Sequence, residues 1–464
     1  MARILVQWDM GWPFSLPRSL SRILFRRPAR LDMSAFAPVP SGAYLVGGAV
    51  RDTLLGVEPA DLDWLVSDPE TACREISEAT GGRPFALDHE RGHWRLIVPP
   101  PDGRTLDFIP LRGPLEEDLL ARDFTVNALA ADSSGRVTDV QGGLRDLRSR
   151  VLRMTSEQAL RDDPLRLLRA PRLSVRFGFA LDSGTRAAIV RGSADIDSGL
   201  LPLPAWERIH EELDALVLGP SPGSAMAQLE GLGLLAILLP ELAGARGVEQ
   251  GGLHHLDVLD HSLEALQRLA TIFPDADVAL RWATLLHDVG KPRTRERGED
   301  GRTRFYGHDR HGAELARSAM RRLRRSIREL DRIAALVRYH MLPLPRGDRQ
   351  ARRFAHRRRE LLPDLLKLMI ADREAARGPL SSEATRRAYR TSLSRIVAIL
   401  EEPPPLAPLL DGREVMEILG LPEGPQVGEA LRFLGEARAV GDVTDREQAR
   451  AALEGLARAR GWLS

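Results

Sequence analysis

The chain has 464 residues, 43% hydrophobic and 28% charged, a length that needs several domains and a balance that excludes a disordered tail, a coiled-coil rod or a collagen-like repeat. Its formal net charge of +1 neither selects nor excludes a polyanionic partner. One cysteine, Cys73, excludes an intrachain disulfide framework and fits a reducing, cytoplasmic setting, and no apolar run reaches the ~20 residues of a membrane helix.

In chain order, residues 1–34 mix apolar residues, arginines and prolines and read as a loose extension without a secretory pattern. Residues 35–155 interleave strands and helices. AYLVG (43–47) is a short strand, AVRDTLLG (49–56) a helix closed by Gly56, and DLDWLVS (61–67) an alternating strand. A helix starts at Asp68-Pro69 and runs to Ala79. HWRLIVPP (93–100) and RTLDFIPL (104–111) are strands joined by a Pro-Asp-Gly turn. LEEDLLARDFTVNALA (115–130) reads as helix, and SSGRVTDV (133–140) as a turn into an edge strand. Residues 156–250 are helical by period. Residues 251–376 are helical and hold eight of the eleven histidines, among them His254, His255, His261, His287, His308, His311 and His340. Gly-Pro-Leu-Ser-Ser at 378–382 and prolines at 403–405 interrupt a helical tail, 377–464. The fold class is α+β: a head with a small mixed sheet, an all-α neck and body, an α-helical third domain and a helical tail. The sequence contains no internal repeat.

LVGGAVRDTLLGVEPADLDWLV (45–66) carries the first chemistry. Gly47-Gly48 at a strand–helix junction allows backbone to approach a ligand, and the N–H groups of the following helix face a phosphate. Arg51 adds a forked cation to the same anion. Asp61 and Asp63, two apart on a strand, project from one face, and their repulsion is relieved by a divalent cation such as Mg²⁺, which also takes phosphate oxygens. Asp107 on a neighbouring strand is the candidate third carboxylate of a two-metal site. Together these features point to phosphoryl or nucleotidyl transfer.

GGAVRDTLLG…DLD, LEEDLLARDFTVNALA and DDPLRLLRAPRLSVRFGF, in that order, resemble the class II tRNA nucleotidyltransferase and bacterial poly(A) polymerase family, over about residues 43–240. A weaker echo lies in DGREVMEILGLPEGPQVGEAL (411–431). The resemblance implies a polymerase-beta-like head. Asp61 and Asp63 would hold Mg²⁺ with Asp107 assisting, and Gly47, Gly48, Arg51 and Asp52 would hold the triphosphate. Arg122 and Asp123 would sense the ribose. Asp163 and Arg166 would read the base as a mimic of a Watson–Crick partner, their spacing placing them on one helix face that Arg169 and Arg172 continue. Ala121 and Asp162 stand where the family has arginine and glutamate. More consequentially, only Gly113 and Pro114 separate Arg112 from the LEEDL helix, where relatives carry a loop of a dozen or more residues implicated in switching from C to A.

In 251–376, His261, His287-Asp288 and Asp372 follow the order H…HD…D and resemble the HD phosphohydrolase superfamily, WATLLHDVGKP (282–292) most clearly. Mixed imidazole and carboxylate ligands suit Mn, Ni, Fe or Zn. His308, His311 and His340 are candidates for a second metal site or for phosphate. The basic residues are almost all arginine, with Lys291 and Lys367 the exceptions, and arginine runs at 317–328 and 349–359 are candidates for RNA contact.

The resulting expectation is a template-independent, two-metal nucleotidyltransferase adding C residues to the tRNA 3′ end from CTP and ATP: CC with terminal A added poorly or not at all, full CCA being the other outcome. An accessory HD hydrolase and a separate A-adding enzyme acting on the same tRNA accompany it. A poly(A) polymerase of the same family, and an HD phosphodiesterase with an RNA-binding head, remain as alternatives.

Overall fold

The computed structural model describes residues 30–251, 255–376, 382–402 and 408–462. They fall into two compact units, one ending at Ala243 and the other beginning at Gly244. Residues 1–29, His254, most of the 378–382 break and the prolines at 403–405 lie outside the described residues. Of the expected loose extension, the described end is tied down: Leu31 is buried and donates its N–H to Gly135 O at 2.8 Å.

The first unit is built on one mixed sheet. Its strands are β1 (Tyr44–Val46), β2 (Asp61–Val66), β3 (Arg83–Asp88), β4 (His93–Ile97), β5 (Thr105–Pro110), β6 (Leu129–Ala131) and β7 (Val137–Asp139), in the order β3-β4-β5-β2-β1-β6-β7. Only β2 and β5 run parallel. Period-two alternation buries Leu62, Trp64, Leu106 and Phe108 and leaves Asp61, Asp63 and Asp107 on the other face. α1 (Gly48–Leu54) follows β1, α2 (Pro69–Thr80) starts where Asp68 caps Thr71 N–H, and α3 (Leu115–Leu120) follows β5.

Two features depart from expectation. The 115–130 segment is not one helix. It stops at Leu120, passes through a 3-10 turn (Thr125–Asn127) and enters β6, where Leu129, Ala130 and Ala131 are fully buried against β1. Alanine and leucine favour helix weakly, and the sheet ladder plus complete burial override that preference. β3, absent from the sequence reading, is an edge strand whose alternation is broken by Pro84.

After residue 156 the described chain is mainly helical, apart from the short strands Ala180–Leu181, Glu296–Arg297 and Thr303–Arg304, and includes α4 (Leu165–Phe177) and α5 (Trp206–Leu218). The second unit contains α6 (Val258–Ile272), α7 (Val278–Leu286), α8 (His308–Arg322), α9 (Ile327–Tyr339), α10 (Asp364–Ala375) and α11 (Glu383–Glu401). Its last helices enclose a small core of Val415, Leu419, Val427, Leu434 and Leu453. Four of the 349–359 arginines pair with carboxylates of the protein: Arg349 with Asp442, Arg352 with Glu402, and Arg353 and Arg357 with Glu436. No described helix is long and apolar enough to cross a membrane.

Candidate active site and metal centre

The head cleft, about 510 Å³, is lined from α1, β2, α4 and the turn after α3. Gly47 enters α1 at φ +69°, and a Cβ there would stand 2.9 Å from Arg122 Nη1 and 3.7 Å from Asp63 Oδ2. Only glycine lets strand, guanidinium and carboxylate share that corner. Asp61 is exposed and Asp63 half-buried beside it. Burial first, then the neighbouring charges of Asp107 and Asp61, pushes the Asp63 carboxyl up to about 6, although Arg122 and Arg169 oppose the shift. Carboxylates that repel each other at a cleft wall are the donor set a divalent cation relieves.

Asp107 stands opposite Asp63 in the parallel β2–β5 register. It is not among the residues that line the cleft, and Arg95 on β4 grips it through Nε at 2.6 Å and Nη2 at 2.7 Å. Arg51 donates to Asp52 at 2.7 Å and to Asn127 at 2.6 Å, and Asn127 donates to Asp123 at 2.9 Å. Asp123 also meets Arg169 at 3.0 Å. Glu212 on α5 receives Arg172 at 2.6 Å and approaches Arg169 at 3.7 Å. The cleft thus presents Arg51, Arg122, Arg166, Arg169, Arg172 and Arg176, most of them aimed by a buried acid or amide.

The expected one-face geometry of Asp163 and Arg166 is not observed. Asp163 closes the helix Glu157–Asp162 in an extended conformation, and Pro164 forces a break before α4, since proline disfavours helix at the preceding residue. Asp163 is instead gripped by Arg208 at 2.7 and 3.2 Å, while Arg166 donates to Ala121 O and Ala159 O, each at 2.8 Å. Arg169 and Arg172 do share the α4 face toward the cleft.

In the second unit, α6, α7, α8, α9 and α10 bring His261, His287, Asp288, His308, His340 and Asp372 together. Backbone carbonyls orient the rings: His287 Nδ1 meets Thr284 O, His308 Nδ1 meets Phe305 O and His340 Nδ1 meets Val337 O, each at 2.7 Å. Their Nε2 atoms turn inward and, with Asp288 Oδ1, are buried without hydrogen-bond partners. Asp372 meets His261 Nε2 at 2.9 Å, and Asp288 lies 3.2 Å from His287 Nε2, 3.5 Å from His308 Nε2 and 3.6 Å from His340 Nε2. Two overlapping sets meet metal-binding geometry: His261, His287 and Asp372, and His287, Asp288 and His340. Buried nitrogens and an oxygen with no protein partner fit a transition ion. His311 stands apart, exposed beside Glu314. Lys291 is buried and ties Asp288 Oδ2 to Gln250, both contacts at 2.6 Å.

Sequence reasoning missed Arg95, Asn127, Arg208, Glu212, Gln250 and Lys291. Arg95 was recoverable, because counting back across the Pro-Asp-Gly hairpin sets it opposite Asp107. Glu212 and Arg208 act across helices far apart in sequence, where spacing carries no signal.

A mixed sheet bearing paired carboxylates beside a glycine-entered helix and an arginine-lined cleft defines a polymerase-beta-type nucleotidyltransferase head. Comparison with known proteins agrees. Residues 43–98 and 101–153 match the poly A polymerase head domain, 178–245 the "probable RNA and SrmB- binding site of polymerase A", and 258–377 the HD domain. The A-adding tRNA nucleotidyltransferase of Deinococcus radiodurans is 54% identical over 92% of this chain and 97% of that one. The CC-adding tRNA nucleotidyltransferase of Thermus thermophilus is 48% identical over 92% and 95%. The structure of the Bacillus stearothermophilus CCA-adding enzyme in complex with CTP matches with a TM-score of 0.61 and 26% identity, covering 90% and 94%. The chain belongs to the tRNA nucleotidyltransferase family, with a fused HD domain.

Proposed function

We propose that this enzyme builds part of the tRNA 3′-terminal CCA sequence, adding cytidine from CTP and stopping before the terminal adenosine. The tRNA 3′-hydroxyl attacks the α-phosphorus of the incoming nucleotide, and pyrophosphate leaves. Mg²⁺ on Asp61 and Asp63 would lower the hydroxyl's pKa and neutralise the triphosphate when bound. Arg51 and Arg122, beside Gly47, orient the phosphates, and Arg166, Arg169 and Arg172 line the side of the cleft where ribose and base would lie.

The observation carrying the restriction to part of CCA is the connector from β5 to α3: four residues, Leu111 to Pro114. It has no length to reach across the cleft and rearrange the side chains on the base side of it. Addition of A alone is the second reading, favoured by the 54% identity to an A-adding relative. The test supplies the purified enzyme with tRNAs ending before CCA, after C and after CC, each with CTP, ATP or both, and sequences the products. C addition on the first two substrates with none on the third supports the leading reading. A addition on the third substrate alone establishes the second, and complete CCA synthesis overturns both.

The HD cluster supports metal-dependent hydrolysis of phosphate esters, with Mn, Ni, Fe or Zn as the resident ion. Lys291 holds the Asp288 carboxylate so that Oδ1 faces His308 and His340.

A further inference from the structure

The second unit carries a groove that neither the metal cluster nor the nucleotidyl-transfer chemistry explains. At about 1070 Å³ it is roughly twice the head cleft, and its walls are α11 and the segment following α9. Arg346, Arg373, Arg387 and Arg395 line it against one carboxylate, Glu383, which already holds Arg386 at 3.0 Å. Arg395 is paired with Asp348 at 2.8 Å, which leaves Arg346, Arg373 and Arg387 as the groove's excess cations in a chain whose net charge is +1.

Its position relative to the metal cluster is fixed by α10. Asp372 on that helix is the member of the cluster open to solvent: its side chain is 23% exposed, against at most 9% for the other five. The next residue, Arg373, donates to Thr385 on α11 at 3.0 Å, and its guanidinium lies 5.8 Å from the Tyr389 ring centre. Tyr389 donates its hydroxyl to Met369 O at 2.8 Å. Burial, and secondarily the charge of Asp372, hold that phenol well above its ordinary value. α11 is thus latched to the helix that carries Asp372, and Arg373 in the groove wall is the next residue along that helix.

We infer that this groove binds the phosphodiester backbone of a single-stranded oligonucleotide and delivers it to the HD cluster at Asp372. The inference rests on the hydrolytic reading of that cluster. Guanidinium forks suit phosphate oxygens, and cations spread along a groove suit a chain of phosphates better than a single nucleotide. Lying beside a centre suited to phosphoester hydrolysis favours a nucleic-acid chain over an acidic peptide.

The test uses the full chain, a short fluorescein-labelled oligouridylate as probe, and anisotropy across a salt series. Arg346→Ala combined with Arg387→Ala should weaken binding about tenfold. The double variant should also reduce the salt slope by roughly 0.7 per lost phosphate contact. Arg387→Lys should retain most of the affinity and shows that charge rather than folding is read. Hydrolysis of bis(p-nitrophenyl) phosphate by the wild type in Mn²⁺ or Ni²⁺ tests the cluster separately. Its absence overturns the hydrolytic reading and the delivery role with it. Normal hydrolysis with equal oligonucleotide affinity in wild type and double variant overturns the groove alone.

Discussion

Asp63 and Asp107 face each other across the parallel β2–β5 pair, and Arg95 holds the second of them with two hydrogen bonds of 2.6 and 2.7 Å. The arginine offsets part of the repulsion among three carboxylates on one sheet face. Arg95→Ala is expected to lower the Mg²⁺ concentration needed for half-maximal nucleotide addition several-fold, because the three carboxylates then lose a competing cation and the repulsion that a divalent ion relieves grows. A Mg²⁺ titration of initial rates checks this, and an unchanged midpoint assigns Arg95 a purely structural role.

Asp63 ties activity to a stability cost. Its folded-state value of about 6 lies above the ordinary 3.8, so the folded state holds the proton more tightly than the unfolded one. Its contribution to metal-free stability is therefore fully present below 3.8 and is lost as pH rises through about 6. Asp63→Asn should abolish nucleotide addition yet raise the metal-free protein's stability at neutral pH by about 1 kcal/mol. Thermal melts in chelator, in acid and at neutral pH, test the sign: the variant's advantage appears only at the higher pH.

Glu212 sits away from the reacting atoms and aims Arg172 and Arg169 at the cleft. Glu212→Gln keeps the size and removes the charge, so KM for the nucleotide should rise about tenfold, with a smaller loss in kcat. Equal losses in both parameters would show instead that the fold around α4 has been disturbed.

Gly47→Ala places a methyl 2.9 Å from Arg122 Nη1 at a backbone φ of +69°. With ψ at −128° this backbone lies in a sparsely populated positive-φ region that costs a non-glycine residue about 1–3 kcal/mol, and Arg122 must also move. Lower thermal stability together with weakened triphosphate binding is expected, read by melting and by nucleotide titration.

His287→Ala combined with Asp288→Ala removes a member from each overlapping ligand set. The variant should lose bound transition metal, measured by elemental analysis, and any hydrolysis of phosphodiesters, while tRNA extension by the head persists. Loss of extension in a folded variant would show that the two chemistries are coupled.

The sequence by itself determined the chemistry-bearing local features. Asp61 and Asp63 share a strand face because the side-chain period is two, Gly47-Gly48 marks the tight entry into α1, and His287-Asp288 ends α7 next to a recognisable GKP turn. These follow from contacts within a few residues. Only the tertiary structure decided what holds the acids and cations in place. Arg95 reaches Asp107, Arg208 reaches Asp163, and Glu212 reaches Arg172 across 40 or more residues in the last two cases. The same holds for the 115–130 segment, whose weak helix preference yields to burial against β1, and for His308 and His340, which join His287 while His311 does not. Spacing along a chain states which residues share a face; it does not state which face of another element comes to meet them.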